Sequence, residues 1–306
     1  MKKKSLAFFI FFCWFYTTTH AFTLSLYFTP DSTTDQMIIR FVKQAQKSVY
    51  IASYTFSSDM LTDILNQMKD IDIKIIVDTS PPVNLQKAQI KVDAKSSLFH
   101  PKIIIVDGRY SVISSGNFTE SAFYLQHNHF LLFEDEKIAR YLTDKFNSWW
   151  EDIPLDTEYS YDNIRFSFSP ENNCEQIISE AISSARKTIH FAMYHFTSEE
   201  IAKVMLKRKL AGVKVYGIIE NASVEPYSVF YGLKNFGCNI RRSNRAGYLH
   251  DKLIIVDQET IITGSYNLTA AARRNNEVVI IIKDKNLASK FIREWKKMWY
   301  FYSLPY

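Results

Sequence analysis

The 306-residue sequence has three cysteines, and they do not form the paired spacing of a zinc site. Cys174 and Cys238 lie in the body of the chain, and whether they pair is open at this level. Net charge is also small, +5 in all, and +2 once the first 21 residues are set aside, because these carry Lys2, Lys3 and Lys4 and no acid. Charge alone therefore does not select nucleic acid as a partner. The N-terminal apolar run, Leu6 to Tyr16, falls short of the about 20 residues that a membrane-crossing helix needs. With the lysines before it and Thr19-His20-Ala21 after it, the run has the pattern of a secretory signal peptide cleaved after Ala21. That pattern predicts a secreted or periplasmic protein, with an uncleaved membrane anchor as the alternative. Phe12, ahead of Cys13, argues against lipoprotein processing.

What the sequence does contain is one stretch written twice. His250-Asp251-Lys252 opens an apolar run, Leu253 to Val256, that ends at Asp257 and is followed by Gly264-Ser265-Tyr266-Asn267. The same order occurs 150 residues earlier, as His100-Pro101-Lys102, Ile103 to Val106, Asp107, and Ser114-Ser115-Gly116-Asn117. On a strand, residues two apart share a face, so each His and its Lys point together and Asp251 points away. An imidazole beside an ammonium, with amide and hydroxyl donors close by, suits a phosphoryl group: fixed donors meet the equatorial oxygens while a histidine attacks or gives a proton. No metal is required by that chemistry, and no cofactor is implied.

The pattern H-x-K-x4-D-x6-G-S-x-N resembles that of the phospholipase D superfamily. The second copy carries it in full through His250, Lys252, Asp257, Gly264, Ser265 and Asn267, and the first departs only at Ser114, where the pattern has Gly. The resemblance implies two halves facing each other about a pseudo-twofold axis, with both motifs at one phosphate. It further implies a two-step displacement in which one histidine forms a phosphohistidine while the other protonates the leaving alcohol and then activates water. Carried onto this sequence, His100 and His250 are nucleophile and acid/base, with His100 the preferred nucleophile by analogy. Lys102, Lys252, Asn117 and Asn267 would hold phosphate oxygens, and Ser115 and Ser265 would donate supporting hydrogen bonds.

The repeat extends beyond the motif. Ser48 to Phe56 answers to Thr188 to Phe196 at an offset of 140, so ten extra residues lie between Phe196 and His250 in the second half. Strands alternate with amphipathic helices in each half: helices over 34–46 and 173–185, strands over 48–55 and 188–195, helices over 57–69 and 197–210, then further strands and the motif. This predicts an α/β fold of two halves, 22–150 and 164–306, each a mixed sheet flanked by helices, joined by a linker over 151–163. Each half closes on an aromatic helix, 136–150 and 285–300, expected to pack on its sheet. Both motifs lie in one chain, so a monomer suffices.

Asp107 and Asp257 sit seven positions past their histidines, roughly 23 Å along a strand, and are assigned structural roles. Glu277 lies where superfamily members often carry an acid that orients a catalytic imidazole, and His129 is the residue expected at the matching place in the first half. Which histidine Glu277 reaches is open. Two segments are expected at the mouth: 78–99, with Lys87, Lys91 and Lys95, and the stretch before His250, with Arg241, Arg242, Arg245 and aromatic residues. Such a face suits a nucleic-acid backbone or an anionic lipid headgroup, and with it a peripheral membrane contact. The sequence favours a metal-independent, nuclease-like phosphodiesterase, with phospholipase D activity as the alternative and a non-catalytic phosphate-binding module as a reading of another class.

Overall fold

The computed structural model describes residues 22–31, 33–78, 80–82, 84–155 and 158–304. The expected signal peptide lies outside the described residues.

Among these residues the chain forms two large mixed sheets. The first has seven strands in the order Thr23–Thr29, Asn128–Glu134, Tyr110–Ser114, Lys102–Val106, Ser48–Ser53, Asp72–Val77 and Gln89–Val92. The second repeats this order with Ile164–Ser169, Glu277–Lys283, Thr260–Gly264, Lys252–Val256, Thr188–Met193, Lys214–Ile219 and Asn239–Ser243, and adds Tyr159–Tyr161 and Ser303–Leu304 at its two edges. Ser48–Ser53 runs parallel to Asp72–Val77 because the helix Asp59–Gln67 carries the chain back over the sheet, and it runs antiparallel to the motif strand. The motif strands are buried on both faces and read as unbroken Val/Ile/Leu runs for that reason.

Local signals set the element ends. Ser58 and Ser198, at matching places in the halves, each accept a hydrogen bond from the amide three residues on and start the helices Asp59–Gln67 and Glu199–Leu210. Asp135 and Asp284 do the same for the two long helices, Glu136–Glu151 and Lys285–Phe301. Each motif strand turns through two residues with positive φ: Asp107 and Gly108, then Asp257 and Gln258. Of the ten extra residues of the second half, two lie between the strands Thr188–Met193 and Lys214–Ile219, where the helix is longer, and eight between Lys214–Ile219 and Asn239–Ser243, where the helix Phe230–Asn235 is inserted.

The two long helices lie between the sheets rather than outside them. Phe146 and Trp149 of one and Phe291 and Trp295 of the other share a single buried cluster with the inward faces of both motif strands. Removing any of these rings would cost about 3–5 kcal/mol. The outer faces are covered by Thr34–Val42 and Asp59–Gln67 on the first sheet and by Cys174–Ser183 and Glu199–Leu210 on the second. Cys174 and Cys238 are buried in that last layer and both are free, which answers the pairing question. The expected linker is partly ordered into the second sheet, through the strand Tyr159–Tyr161.

Candidate active site

The halves meet edge to edge just before each motif strand. His100 donates its amide to the carbonyl of Asn276 (2.9 Å), and Asn276 donates to that of Leu98 (2.9 Å). On the other side His250 donates to the carbonyl of His127 (2.9 Å), and His127 to that of Tyr248 (2.8 Å). These paired contacts bring the two motif histidines together at the seam, each set against a residue from the opposite half.

The partners differ. His100 Nδ1 lies 2.8 Å from Glu277 Oε2, and the same oxygen receives the hydroxyl of Ser265 at 2.6 Å. His250 Nδ1 lies 3.0 Å from Asn128 Oδ1, which also receives the hydroxyl of Ser115 at 3.2 Å. Asn128 is the first-half counterpart of Glu277: it pairs with Thr29 on the neighbouring strand as Glu277 pairs with Ser169. The expectation for His129 is thus corrected. It sits one residue further along the strand, on the opposite face, fully buried against Asp251 and Thr263 and away from the substrate side. Gly116 makes room for Asn128, since a Cβ there would come within 2.5 Å of the amide carbon.

Lys102 and Lys252 are buried, and each ammonium donates back to the carbonyl of its own motif histidine, at 2.5 and 2.7 Å. Tyr54 and Tyr194 flank the pair, their rings 5.4 Å from His100 and 4.7 Å from His250, with the lysine ammoniums 5.7 and 5.2 Å from the same rings. Asn117 and Asn267 follow the supporting serines, and each keeps a buried amide oxygen without a hydrogen-bond partner. Asp107 and Asp257 lie at the far ends of the hairpins, where each accepts three backbone amides, Gln46 to Ser48 and Arg186 to Thr188. They pin the chain at the start of the strand that lies beside each motif strand, Ser48–Ser53 and Thr188–Met193.

Burial, then the two lysines, pushes both His100 and His250 well below the usual imidazole range. Burial also brings Lys252 down to about 7 and Lys102 well below the ordinary ammonium range. Glu277 is raised to about 8 by burial, against Lys102 and the hydroxyl and amide donors of Ser265 and Asn275. A buried glutamate beside a buried imidazole thus takes up a proton as a unit, and once it is ionised it fixes the Nδ1–H tautomer that leaves Nε2 free to attack. His250 is backed instead by the neutral amide of Asn128, so no hydrogen-bonded carboxylate fixes its tautomer. Among the described residues no group of three or more His, Cys, Asp or Glu side chains is disposed to hold a metal ion.

The expected basic mouth is corrected in its residues. Lys91 and Lys95 bind Asp152 (2.5 and 2.8 Å), and Lys91 also caps the carbonyls of Trp149 and Trp150, so both serve the end of a long helix. Lys87 donates to the carbonyl of Met68. Arg241 binds the carbonyl of Trp299 and lies over its ring, and Arg242 binds Tyr231. Neither arginine is placed at the histidines. A cleft of about 650 Å³ opens along the seam between the halves, lined by Pro30, Tyr124, Leu125, Arg245, Tyr248 and Tyr302 and by none of the motif histidines, lysines or asparagines. Tyr248 connects it to the site, its ring 6.0 Å from that of Tyr194.

Comparison with known proteins agrees with this arrangement. The family described as cardiolipin synthase, PLD-like domain, matches residues 38–150 and 178–299, covering the motif of each half. A phospholipase D of Rickettsia prowazekii is 30% identical over 141 residues, 45% of this chain and 69% of that one. A mitochondrial cardiolipin hydrolase of Canis lupus familiaris is 30% identical over 121 residues, 39% of this chain and 48% of that one. The fold of nearly the whole chain recurs in phosphatidylserine synthase of Haemophilus influenzae, at a TM-score of 0.69 and 12% identity over 92% of this chain and 88% of that one. The chain belongs to the phospholipase D superfamily, and within it is a phosphodiesterase.

Proposed function

We propose that the chain hydrolyses phospholipid phosphodiesters through a covalent phosphohistidine. The observation that carries the lipid reading is the cleft that reaches Tyr248, two residues before His250: its walls of Tyr124, Leu125, Tyr248 and Tyr302 suit an acyl or other apolar group, and Arg245 offers one cation for a headgroup oxygen. The relatives named phospholipase D and cardiolipin hydrolase support the same substrate class. The nuclease preference drawn from sequence rested on the two compact halves, which resemble nuclease-type units without added lipid-binding domains; the lysines of the expected basic mouth, which suited either substrate, are held by Asp152 and backbone carbonyls.

In the first step His100 Nε2 attacks phosphorus as Glu277 holds Nδ1–H and balances the charge that the ring acquires. The bond to the leaving oxygen breaks, and protonated His250 gives that oxygen its proton. Lys102, Lys252, Asn117 and Asn267 stabilise the equatorial oxygens. His250, now neutral, takes a proton from water, which attacks phosphorus, breaks the P–N bond and regenerates His100. The N-terminal pattern adds that the enzyme acts outside the cytoplasm.

Parallel assays on mixed micelles of phosphatidylglycerol or cardiolipin and on single- and double-stranded DNA test this reading. Headgroup release that exceeds DNA cleavage, and that falls when Leu125 is replaced by Asp, is expected. Efficient DNA cleavage with no lipid turnover would return the substrate to nucleic acid.

A further inference from the structure

We infer that Asp251, the residue between the catalytic His250 and Lys252, is a positioning residue that holds His250 in register across the seam between the halves. The inference rests on the phosphodiesterase reading of this site. It starts from an interleaving of two three-residue segments. His127, Asn128 and His129 alternate in direction, and so do His250, Asp251 and Lys252. Asn128 meets His250 on one face, at 3.0 Å. On the other face His127 Nδ1 and His129 Nδ1 close on the two oxygens of Asp251, at 2.5 and 2.7 Å. The first half therefore grips the second-half motif from both sides of its backbone.

The hydrogen-bond roles follow from what each group can do. The Asp251 carboxylate only accepts, so both Nδ1 atoms donate. The hydroxyl of Thr263 lies between His129 Nε2 and the carbonyl of Lys252, to which it donates at 2.8 Å. That chain ends on the backbone of the catalytic lysine. His127 Nε2 faces Glu294 at 3.3 Å and donates there too. Although burial opposes it, the carboxylate of Asp251 followed by Glu294 raises His127 to about 9, so its positive charge is in place at neutral pH. Asp251 is fully buried, as are both rings, so the clamp is screened from water and resists sliding.

The device exists on one side only. Pro101 occupies the place of Asp251 between His100 and Lys102, and Asn276, which pairs with Phe99 as His127 pairs with Leu249, occupies the place of His127. The side with the clamp is the side whose histidine lacks a carboxylate partner. A neutral amide orients an imidazole less strongly than a carboxylate does, and the clamp supplies by rigidity what Asn128 does not supply by charge.

The test uses the full chain with bis(p-nitrophenyl) phosphate as probe. Asp251→Asn should lower kcat on the order of 30-fold or more, the scale of a small misplacement of a reacting group, with KM changed less than about threefold. His127→Leu should behave likewise, while His127→Asn, which returns an N–H donor to the position of Nδ1, should recover activity to within about threefold of the parent. Proton–nitrogen correlation spectra of the imidazole rings give a readout free of turnover: His250 should show one fixed tautomer in the parent and in His127→Asn, and exchange between tautomers in Asp251→Asn. A folded Asp251→Asn protein with parental kcat and an unchanged His250 signal would overturn the inference. Absence of turnover in the parent would instead count against the proposed function, and the His250 signal would still decide the role of Asp251.

Discussion

Replacing Glu277 with Gln separates charge from shape at the His100 side of the site. The carboxylate receives His100 Nδ1 at 2.8 Å, Ser265 Oγ at 2.6 Å and Asn275 Nδ2 at 3.4 Å. Glutamine keeps the volume and can turn one oxygen toward His100, but its amide then opposes the Asn275 donor. The larger loss is the full negative charge facing a ring that turns cationic as phosphorus bonds to it. A charge-assisted hydrogen bond exceeds a neutral one by about 1–2 kcal/mol, and a buried mismatched amide adds about 1 kcal/mol. The sum, about 2–3 kcal/mol, corresponds to roughly a 30- to 150-fold fall in kcat. KM should change little, because the phosphate oxygens are left to Lys102, Lys252, Asn117 and Asn267. The pH profile gives a second reading. Glu277 is raised to about 8, so it ionises, and locks the productive tautomer, as pH rises through that value. In the parent protein kcat/KM should climb to a narrow maximum between about pH 7 and 8 and then fall, because deprotonation of Lys252, brought down to about 7, opposes the gain from ionising Glu277, both as macroscopic values of an interacting set. Glutamine has nothing to ionise, and the climb should flatten. Steady-state hydrolysis of bis(p-nitrophenyl) phosphate between about pH 5.5 and 9.5 measures both effects. A Gln variant within twofold of the parent kcat, or one that keeps the ascending limb, would refute the reasoning.

Three further outcomes are expected. His100→Asn and His250→Asn should each lose most activity on lipid, but with the nitrophenolate leaving group His250→Asn should accumulate an acid-labile, base-stable phosphohistidine on His100, and trapping it in His100→Asn instead would exchange the roles. Turnover should survive excess EDTA, because Lys102 and Lys252 stand where a two-metal phosphodiesterase would place carboxylates; loss with EDTA and recovery with magnesium or zinc would overturn the metal-free displacement. His127, raised from 6.5 to about 9, contributes stability that is full below pH 6.5 and lost as pH rises through 9, on the order of 3 kcal/mol, so Tm should fall less steeply over that range in His127→Asn than in the parent.

Much of the fold was legible because the repeat doubled every signal. The buried strands declare themselves as Ile103 to Val106 and Leu253 to Val256, and the serine caps at 58 and 198 stand 140 residues apart like the strands before them. The site was legible wherever chemistry follows a fixed spacing from the motif histidine. It was not legible across the seam. The segment from Asn117 to Asn128 is one residue longer than that from Asn267 to Glu277, so a fixed spacing from Asn117 falls short on His127, and setting His127-Asn128-His129 against Asn275-Asn276-Glu277 overshoots to His129. Only strand register, Thr29 against Asn128 and Ser169 against Glu277, identifies the true counterpart. The mouth failed for a different reason. Lysines and arginines read as a track in sequence, but an ammonium is as readily spent on a helix C-terminus, as Lys91 is on Trp149 and Trp150. Tyr54 and Tyr194 were within reach, since they occupy the same place in the two copies of the repeated strand.

The unlike partners of the two histidines follow from having both halves in one chain. In an assembly of two identical subunits, a substitution at the position of Glu277 appears at both sides of the axis, and each imidazole is given the same neighbour. The attacker and the acid must then be distinguished by the substrate as it binds. In the single chain a change at residue 128 leaves residue 277 untouched, and Asp251 can gain a pair of histidines while Pro101 gains none. Covalent linkage of the halves thus frees each side to specialise, and an Asn128→Asp protein, with the symmetry restored, would show how much rate that freedom is worth.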